Sequence, residues 1–179
     1  MSEKIKRLIR EYAESIVIAL VLALVVRTFI VQAFKIPTGS MRPTLLEGDR
    51  ILVNKFIYRF KQPEQGDVVV FKYPEDPRRD FIKRLVGKGE ESVSIQRGRI
   101  LVNGKEVTTD SFGERYYYNQ GLYGQEDNSQ KIPKDHFFVL GDNSGSSRDS
   151  RFWGFVPRRY MIGKAFVVYW PLNRIRRIH

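Results

Sequence analysis

The pattern of apolar and polar positions separates an N-terminal segment of helical length from a longer region with the periodicity of strands. Ile16 to Val26 is uninterrupted aliphatic and alanine, and the apolar character continues to Phe34 with a few polar interruptions. Residues 16–34 are close to the roughly 20 residues that a spanning helix needs, which predicts a transmembrane anchor. A cleavable signal peptide is the main alternative, because a basic start, an apolar core and Val31-Gln32-Ala33 also fit that pattern. A buried helix of a soluble protein is the third reading.

After residue 35 the period becomes that of strands bounded by glycine and proline. We predict strands at Arg50–Phe56, Val68–Tyr73, Asp80–Val86, His136–Leu140 and Gly163–Trp170. Arg99 to Val107 reads as a hairpin, with Asn103-Gly104 supplying the tight turn. Residues 108–134 are predicted to form a loop or small lobe, and residues 141–154 a long turn-rich loop. The fold class is therefore mainly β, with one domain over residues 35–179.

The charge distribution indicates a membrane surface as partner. The formal net charge is +11, and cations cluster in residues 1–15, before the apolar segment, and again in residues 174–179. Cations before an anchor place the N-terminus in the cytoplasm and the following domain outside. A basic domain held at a bilayer is expected to contact phospholipid headgroups. No nucleic-acid motif accompanies the charge, so nucleic acid is not expected as a partner.

The residue inventory removes several kinds of chemistry. The chain has no cysteine and two histidines, His136 and His179. Disulfides, thiol nucleophiles and thiolate metal sites are excluded, and so is a metal site built on several histidines. We therefore expect no metal and no cofactor. A serine nucleophile in this chain is expected to use a base other than histidine.

Ser40 is the candidate nucleophile because its surroundings hold the backbone in an irregular path. The stretch from Ile36 to Asp49 contains two prolines and two glycines, which rule out a regular helix or a central strand. Gly39 allows another chain to approach the backbone closely. A serine in such a loop can be presented to a substrate. An ordinary turn leading into a domain is the alternative reading of the same stretch.

Lys83 is the candidate base. In strand alternation it shares a face with Phe81 and Leu85, although Ile82 and Val86 argue equally for the opposite face. At an ordinary pKa of about 10.4 only about one lysine in 2,500 is neutral at pH 7, so a useful base needs a pKa lowered by roughly 3 units. Burial among apolar neighbours is the expected cause. A solvated lysine on a strand is the alternative.

The stretch from Gly141 to Arg151 is rich in hydroxyls and charges and runs into Phe152-Trp153-Gly154-Phe155. Such a composition between aromatic strands predicts an organised polar network beneath a site. A flexible serine-rich loop is an alternative. A calcium loop is disfavoured, because the acids do not alternate at ligand spacing and Arg148 and Arg151 interrupt them.

Taken in order along the chain, these stretches closely resemble bacterial type I signal peptidases, which are membrane-anchored serine–lysine endopeptidases of the secretory pathway. The resemblance covers essentially the whole chain. It is carried by the N-terminal anchor and by Pro37-Thr38-Gly39-Ser40-Met41-Arg42-Pro43-Thr44, Gly66-Asp67-Val68-Val69-Val70-Phe71, Lys83-Arg84-Leu85-Val86-Gly87, Gly141-Asp142-Asn143 and Ser147-Arg148-Asp149-Ser150-Arg151. Each motif alone is modest, whereas all of them in this order are highly specific.

The resemblance implies roles for individual residues. It implies that Ser40 is the nucleophile and Lys83 the general base, and that the Ser40 N–H and the Thr38 hydroxyl form the oxyanion hole. It also implies supporting residues: Ser147 would orient the Lys83 amine, Asp149 and Arg151 would form a structural ion pair, and Met41 would pack beside the site. Threonine at position 38 departs from the serine that is usual in several relatives, but it keeps the hydroxyl.

The resemblance further implies an antiparallel β-sheet catalytic domain with a small variable lobe at about 92–134, behind one transmembrane helix at 16–34. The expected substrates are preproteins whose signal peptides end in small residues, cut outside the bacterial inner membrane. A different class of function also fits the charge: a noncatalytic, membrane-tethered basic β domain that binds anionic lipid or glycan. That alternative predicts indifference to Ser40.

Overall fold

The computed structural model describes residues 3–25, 27, 30–126 and 128–179. Helix α1 runs over Glu3–Val25, and its large apolar side chains from Ile16 onward are exposed. Within those described ranges, no helix is both long enough and apolar enough to cross a membrane. Part of the predicted anchor, namely Val26, Thr28 and Phe29, lies outside the described residues.

The final residues of the predicted anchor belong to a strand. Strand β1 covers Val31–Lys35 and pairs antiparallel with β2, Arg50–Asn54, so that Phe34 lies opposite Ile51. A short apolar run cannot be assigned to helix or strand from composition alone. Here the pairing with β2 makes it a strand, and the helix predicted through Phe34 ends earlier.

Two antiparallel sheets form the rest of the domain. Their strands, after β1 and β2, are β3 (Val68–Tyr73), β4 (Asp76–Lys88), β5 (Ser92–Gln96), β6 (Arg99–Val102), β7 (Lys105–Glu106), β8 (Gln130–Lys131), β9 (His136–Leu140), β10 (Val156–Pro157), β11 (Met161–Trp170) and β12 (Arg176–Arg177). In the described part of the chain, the larger sheet has the order β1-β2-β11-β3-β4-β9-β10, with β12 added beside β11. The prediction of a mainly β fold is confirmed.

The smaller sheet, in the order β7-β6-β5-β8, occupies the region predicted as a variable lobe. The Asn103-Gly104 turn joins β6 to β7 as predicted, and both residues have positive φ. Strands β5 and β8 were not predicted. The short helix α2, Ser150–Trp153, was also not predicted and lies within the loop expected after β9.

The apolar core places both faces of β4 against packed side chains. Leu85 is buried with Val69 and Phe71, and Phe81 packs against the same cluster. Ile82 packs on a different cluster, which contains Met41. The alternation predicted for this strand is therefore present, and Lys83 falls on the face of Phe81 and Leu85.

Candidate active site

The loop that carries Ser40 connects β1 to β2 and is closed at its base by backbone hydrogen bonds. The Ile36 N–H donates to the Asp49 carbonyl at 2.9 Å, and the Gly48 N–H donates to the Ile36 carbonyl at 2.9 Å. Within the loop, Gly39–Met41 forms a single 3₁₀ turn. Met41 and Leu45 are fully buried in the core. The burial of these two apolar side chains holds the irregular backbone of the loop in place.

Ser40 and Lys83 meet in the folded chain. The Lys83 Nζ donates to Ser40 Oγ at 2.8 Å and to the Ile82 carbonyl at 2.9 Å. The Lys83 amine also lies 5.6 Å from the centroid of the Phe81 ring. Ser40 is 8% exposed and Lys83 is 3% exposed. A primary amine is thus held in contact with a hydroxyl in surroundings largely shielded from solvent.

Burial changes the acid–base behaviour of Lys83. Loss of hydration lowers the pKa of the Lys83 amine from 10.5 to about 8; the carboxylates of Asp149 and Asp142 oppose this shift, and Arg151 adds to it. With a pKa of about 8, roughly one amine in ten is neutral at pH 7. Lys83 therefore has the burial expected of a lysine that acts as a base.

The loop after β9 packs directly against the Ser40 loop. The Asn143 N–H donates to the Ser40 carbonyl at 3.0 Å, and the Asn143 side-chain amide donates to the Gly39 carbonyl at 3.1 Å. Gly141 leaves no room for a side chain: a Cβ there would lie 2.1 Å from Ser147 Oγ and 2.6 Å from the Ser40 carbonyl oxygen. The two loops therefore fix each other through backbone atoms.

Asp149 and Arg151 form a fully buried ion pair with two contacts of 2.8 Å. The Asp149 carboxylate also accepts the Gly141 N–H at 3.0 Å. Arg151 donates to the Ser144 hydroxyl and carbonyl, both at 2.8 Å, and to the Ser147 carbonyl at 3.2 Å. The pair thus supports the backbone of the loop that borders Lys83.

The remaining predicted site residues lie near the Ser40–Lys83 pair without joining it. The Ser147 hydroxyl is buried and, among the described residues, has no hydrogen-bond partner, so it is not hydrogen-bonded to the Lys83 amine. Thr38 is exposed and extended, immediately before the 3₁₀ turn, and its side chain makes no capping bond. Met41 lies beneath the turn in the core.

Comparison with known proteins identifies the family. Residues 9–170 match the family described as signal peptidase, peptidase S26. The chain belongs to this family. It is 40% identical over 172 residues to the signal peptidase I of Leptolyngbya laminosa, covering 92% of this chain and 81% of that protein.

A second relative is the probable signal peptidase I-2 of Synechocystis, 39% identical over 92% of this chain and 75% of that protein. The crystal structure of a signal peptidase I from Enterococcus faecalis is 27% identical and aligns with a TM-score of 0.49, covering 58% of this chain and 97% of the solved chain. The family match and the curated relatives show that the chain is a serine peptidase of the signal peptidase type. The noncatalytic binding domain considered from the sequence is left without support.

One part of this signal peptidase site was quoted in the sequence motifs but given no role. Arg84 binds the Asp142 carboxylate through two contacts of 2.8 and 2.7 Å, and both side chains are almost fully buried. Thr44, in the Ser40 loop, donates to the same carboxylate. Arg115, from the small lobe, donates to the Thr44 hydroxyl at 3.1 Å. This network ties the nucleophile loop to β4, the loop after β9 and the lobe.

The motifs Lys83-Arg84 and Gly141-Asp142 contain the two paired residues, but the sequence does not show that Arg84 binds Asp142. Strand register decides it, because Arg84 lies opposite Leu140 in the β4–β9 pair and Asp142 follows two residues later. Among the residues described, no group of three or more histidine or acidic side chains could hold a metal ion.

Proposed function

We propose that this chain is a membrane-tethered Ser–Lys endopeptidase that removes N-terminal signal peptides from secreted preproteins, cutting after small residues. The observation that carries the proposal is the 2.8 Å contact between Lys83 Nζ and Ser40 Oγ, with both residues buried. The curated relatives named signal peptidase I support the substrate class. No cofactor is needed for the chemistry.

Lys83 acts as the proton carrier in the proposed mechanism. In its neutral form the amine takes the proton of Ser40, and the Ser40 oxygen attacks the carbonyl carbon that precedes the scissile bond. The resulting ammonium returns the proton to the leaving amine as the peptide bond breaks, and an ester on Ser40 remains. Lys83 then takes a proton from the water that attacks this ester and returns it to the Ser40 oxygen as the carboxylic acid product leaves, which restores Ser40 and neutral Lys83.

The oxyanion of each tetrahedral intermediate is proposed to lie between the Ser40 N–H and the Thr38 hydroxyl. Two features support this assignment: the 3₁₀ turn begins directly after Thr38, and the Thr38 side chain is exposed and makes no capping bond. A donor at such a site typically contributes a factor of about 10² to 10³ to the rate.

We further propose that Ser147 positions the Lys83 amine during the reaction. Its hydroxyl is buried and unpaired among the described residues, and it lies against Gly141 beside the Ser40 carbonyl. A buried hydroxyl without a partner is costly, so a hydrogen bond to a neutral, reoriented Lys83 would satisfy it. Asp149 and Arg151 hold the backbone around this position.

The membrane tether is proposed to be the apolar part of α1 together with the residues that follow it. The side chains from Ile16 to Val25 are apolar and exposed, as a helix surrounded by lipid would have them. Cations precede this part of the helix, among them Arg7 and Arg10. The N-terminus would then be cytoplasmic and the catalytic domain would lie outside the bacterial inner membrane. Phospholipids are the expected surroundings.

The decisive experiment is cleavage of a model preprotein by the full chain across pH. Ser40→Ala and Lys83→Ala are expected to abolish cleavage, whereas Lys72→Ala, an exposed lysine on the neighbouring strand β3, should retain it. Because only the neutral amine accepts the proton, wild-type kcat/KM should rise with pH through an apparent pKa of about 8. Cleavage by Lys83→Ala at the wild-type rate would remove Lys83 as the base.

The oxyanion assignment has its own test. Thr38→Val removes a hydroxyl at nearly constant shape, so kcat should fall by about 10² while KM changes little. Thr38→Ser keeps the hydroxyl and should retain most of the activity. An unchanged kcat in Thr38→Val would remove Thr38 from the oxyanion hole.

A further inference from the structure

A cationic cavity lies away from Ser40, on the segment that follows β2. Its volume is about 380 Å³, within the range of about 300 to 1,000 Å³ that is usual for ligand sites. Lys55, Arg59 and Arg158 line it with positive charge, and Tyr58, Met161 and Ile162 line it with aromatic and aliphatic surface. We call it the Arg59–Arg158 cavity. The proposed peptidase mechanism uses none of these residues.

The lining of the Arg59–Arg158 cavity contains no carboxylate. The Asp67 carboxylate, which accepts the Tyr58 hydroxyl at 3.0 Å, is itself paired with Lys164. Among the described residues, neither arginine forms an ion pair: Arg158 donates to the neutral Gln62 amide, and the Arg59 guanidinium lies 5.6 Å from the centroid of the Phe56 ring. A neighbouring cavity of about 300 Å³ shares Arg158 and adds Lys88 and Lys134, but its lining also includes the carboxylates of Glu90 and Asp135. The Arg59–Arg158 cavity therefore offers an anion positive charge without a carboxylate in its lining.

Exposed aromatic rings stand beside the cavity. Phe56 and Phe60 pack edge to face with centroids 4.7 Å apart, and Phe60 is 74% exposed. A cation-lined cavity bordered by exposed apolar rings matches a ligand with an anionic head and an apolar body, because exposed phenylalanine side chains can be buried at the boundary between headgroups and acyl chains. A free inorganic anion would use the cations but leave the rings in water.

The position of the cavity along the chain indicates where such a ligand would come from. The Lys55 N–H donates to the Ile30 carbonyl at 2.9 Å, and Ile30 follows the end of α1 at Val25 by five residues. Five extended residues reach at most about 18 Å. If α1 is the membrane tether, the Arg59–Arg158 cavity must lie close to the headgroups of the outer leaflet.

We propose that the Arg59–Arg158 cavity binds the phosphate of an anionic phospholipid, with Phe56 and Phe60 entering the interface beside it. The inference rests on the membrane tether proposed above. The two guanidinium groups supply charged donors to the phosphate oxygens, and such contacts are the stronger class of hydrogen bond. The contact would set the orientation of the catalytic domain against the bilayer.

The test measures the thermal stability of the full chain in neutral detergent micelles with added phosphatidylglycerol. A Ser40→Ala background removes turnover, so the result does not depend on peptidase activity. At ten times the dissociation constant, phosphatidylglycerol should raise Tm by about 3 to 6 °C, and phosphatidylcholine should not. Arg59→Gln/Arg158→Gln should lose the rise. Arg97→Gln/Arg99→Gln removes two exposed arginines near the small sheet and should keep it.

Three results would overturn the proposal: an equal rise in the Arg59→Gln/Arg158→Gln variant, no rise in any variant, or an equal rise with inorganic phosphate, which would indicate a free anion. If the double variant fails to fold, Arg59→Gln alone is used instead. Arg59 is exposed, so its replacement should leave the fold intact, and loss of one of the two guanidinium groups should reduce the Tm shift. The thermal-stability measurement does not depend on cleavage. A negative result in the cleavage test for Ser40 and Lys83 would therefore overturn the proposed mechanism without changing the test of phospholipid binding.

Discussion

At the scale of single residues, the burial that lowers the pKa of Lys83 also lowers the stability of the folded protein. A buried ammonium loses its hydration, and among the described residues its partners are a hydroxyl and a carbonyl rather than a carboxylate. The same loss of hydration lowers the pKa of the amine to about 8. Because a pKa shift is also a difference in stability between the folded and unfolded states, the protonated lysine must destabilise the fold.

Lys83→Met tests this cost. The folded pKa of about 8 lies below the unfolded value of 10.5, so the penalty is complete below pH 8 and disappears as the pH rises to 10.5. At pH 7 the variant should be more stable than the wild type by roughly 3 kcal/mol and inactive. Melting temperatures of both proteins at pH 7 and pH 10 provide the measurement, with the exposed Lys72→Met as control. A stability difference that does not shrink at pH 10 would contradict the explanation.

At the scale of elements, the site depends on two loops that approach closer than side chains allow. Gly141 sits where the loop after β9 meets the Ser40 loop, and its missing side chain leaves space for Ser147 and for the Ser40 carbonyl. The conformation of Gly141 does not itself require glycine. Close approach is the reason for this residue.

Gly141→Ala should therefore displace the Ser40 loop. The added Cβ would meet backbone and side-chain atoms at 2.1 to 2.6 Å, so kcat/KM should fall by at least about 10², and stability should fall by about 1 to 3 kcal/mol. Gly145→Ala, four residues along the same loop, is the matched control, because its nearest atom is at 3.4 Å in the Tyr118 ring. Equal activity of the two variants would show that the loops can separate without loss of function.

Elements with clear boundaries were predictable from the sequence. Strands β3 and β9 have the bounds predicted, since Val68–Tyr73 and His136–Leu140 are compact apolar runs ended by turn residues. The strand at Val31–Lys35 was not predicted, because its apolar residues continue the run of α1 and only pairing with β2 distinguishes them. Strand β5, Ser92–Gln96, was missed within a region assigned to a lobe.

The residues of the site were likewise predictable only in part. The residue types made Ser40 and Lys83 candidates, and the family resemblance assigned them as nucleophile and base. The fold brings their side chains to 2.8 Å across 43 positions of sequence. The ion pair between Arg84 and Asp142 could not be assigned, because 58 residues separate the partners and only the register of β4 against β9 aligns them. The resemblance implied that Ser147 orients the Lys83 amine; its hydroxyl makes no hydrogen bond in the described structure, so this role stays a prediction. The orientation of a hydroxyl depends on local packing, which cannot be predicted from the sequence.

At the scale of the whole molecule, distant parts of the chain converge on the nucleophile loop. Arg174 binds the Asp49 carboxylate at the end of that loop through contacts of 2.8 and 2.9 Å. Arg176 donates to the Thr44 carbonyl within it. Ile178 is buried in the same core cluster as Met41 and Leu45, which lie under Ser40. The segment after β11 is thus part of the support of the active site.

Substitution of Ile178 should reveal this support. Ile178 is 7% exposed, so Ile178→Ala removes core contacts and should cost about 2 to 4 kcal/mol, with reduced cleavage because Met41 adjoins Ser40. Ile175→Ala is the matched control: Ile175 lies three residues earlier, is 57% exposed, and should change stability by less than about 0.5 kcal/mol. Thermal unfolding and preprotein cleavage measure the two effects together. If both variants behave like the wild type, the final segment does not hold the nucleophile loop. If Ile178→Ala loses stability but keeps full cleavage, the segment supports the fold without positioning Ser40.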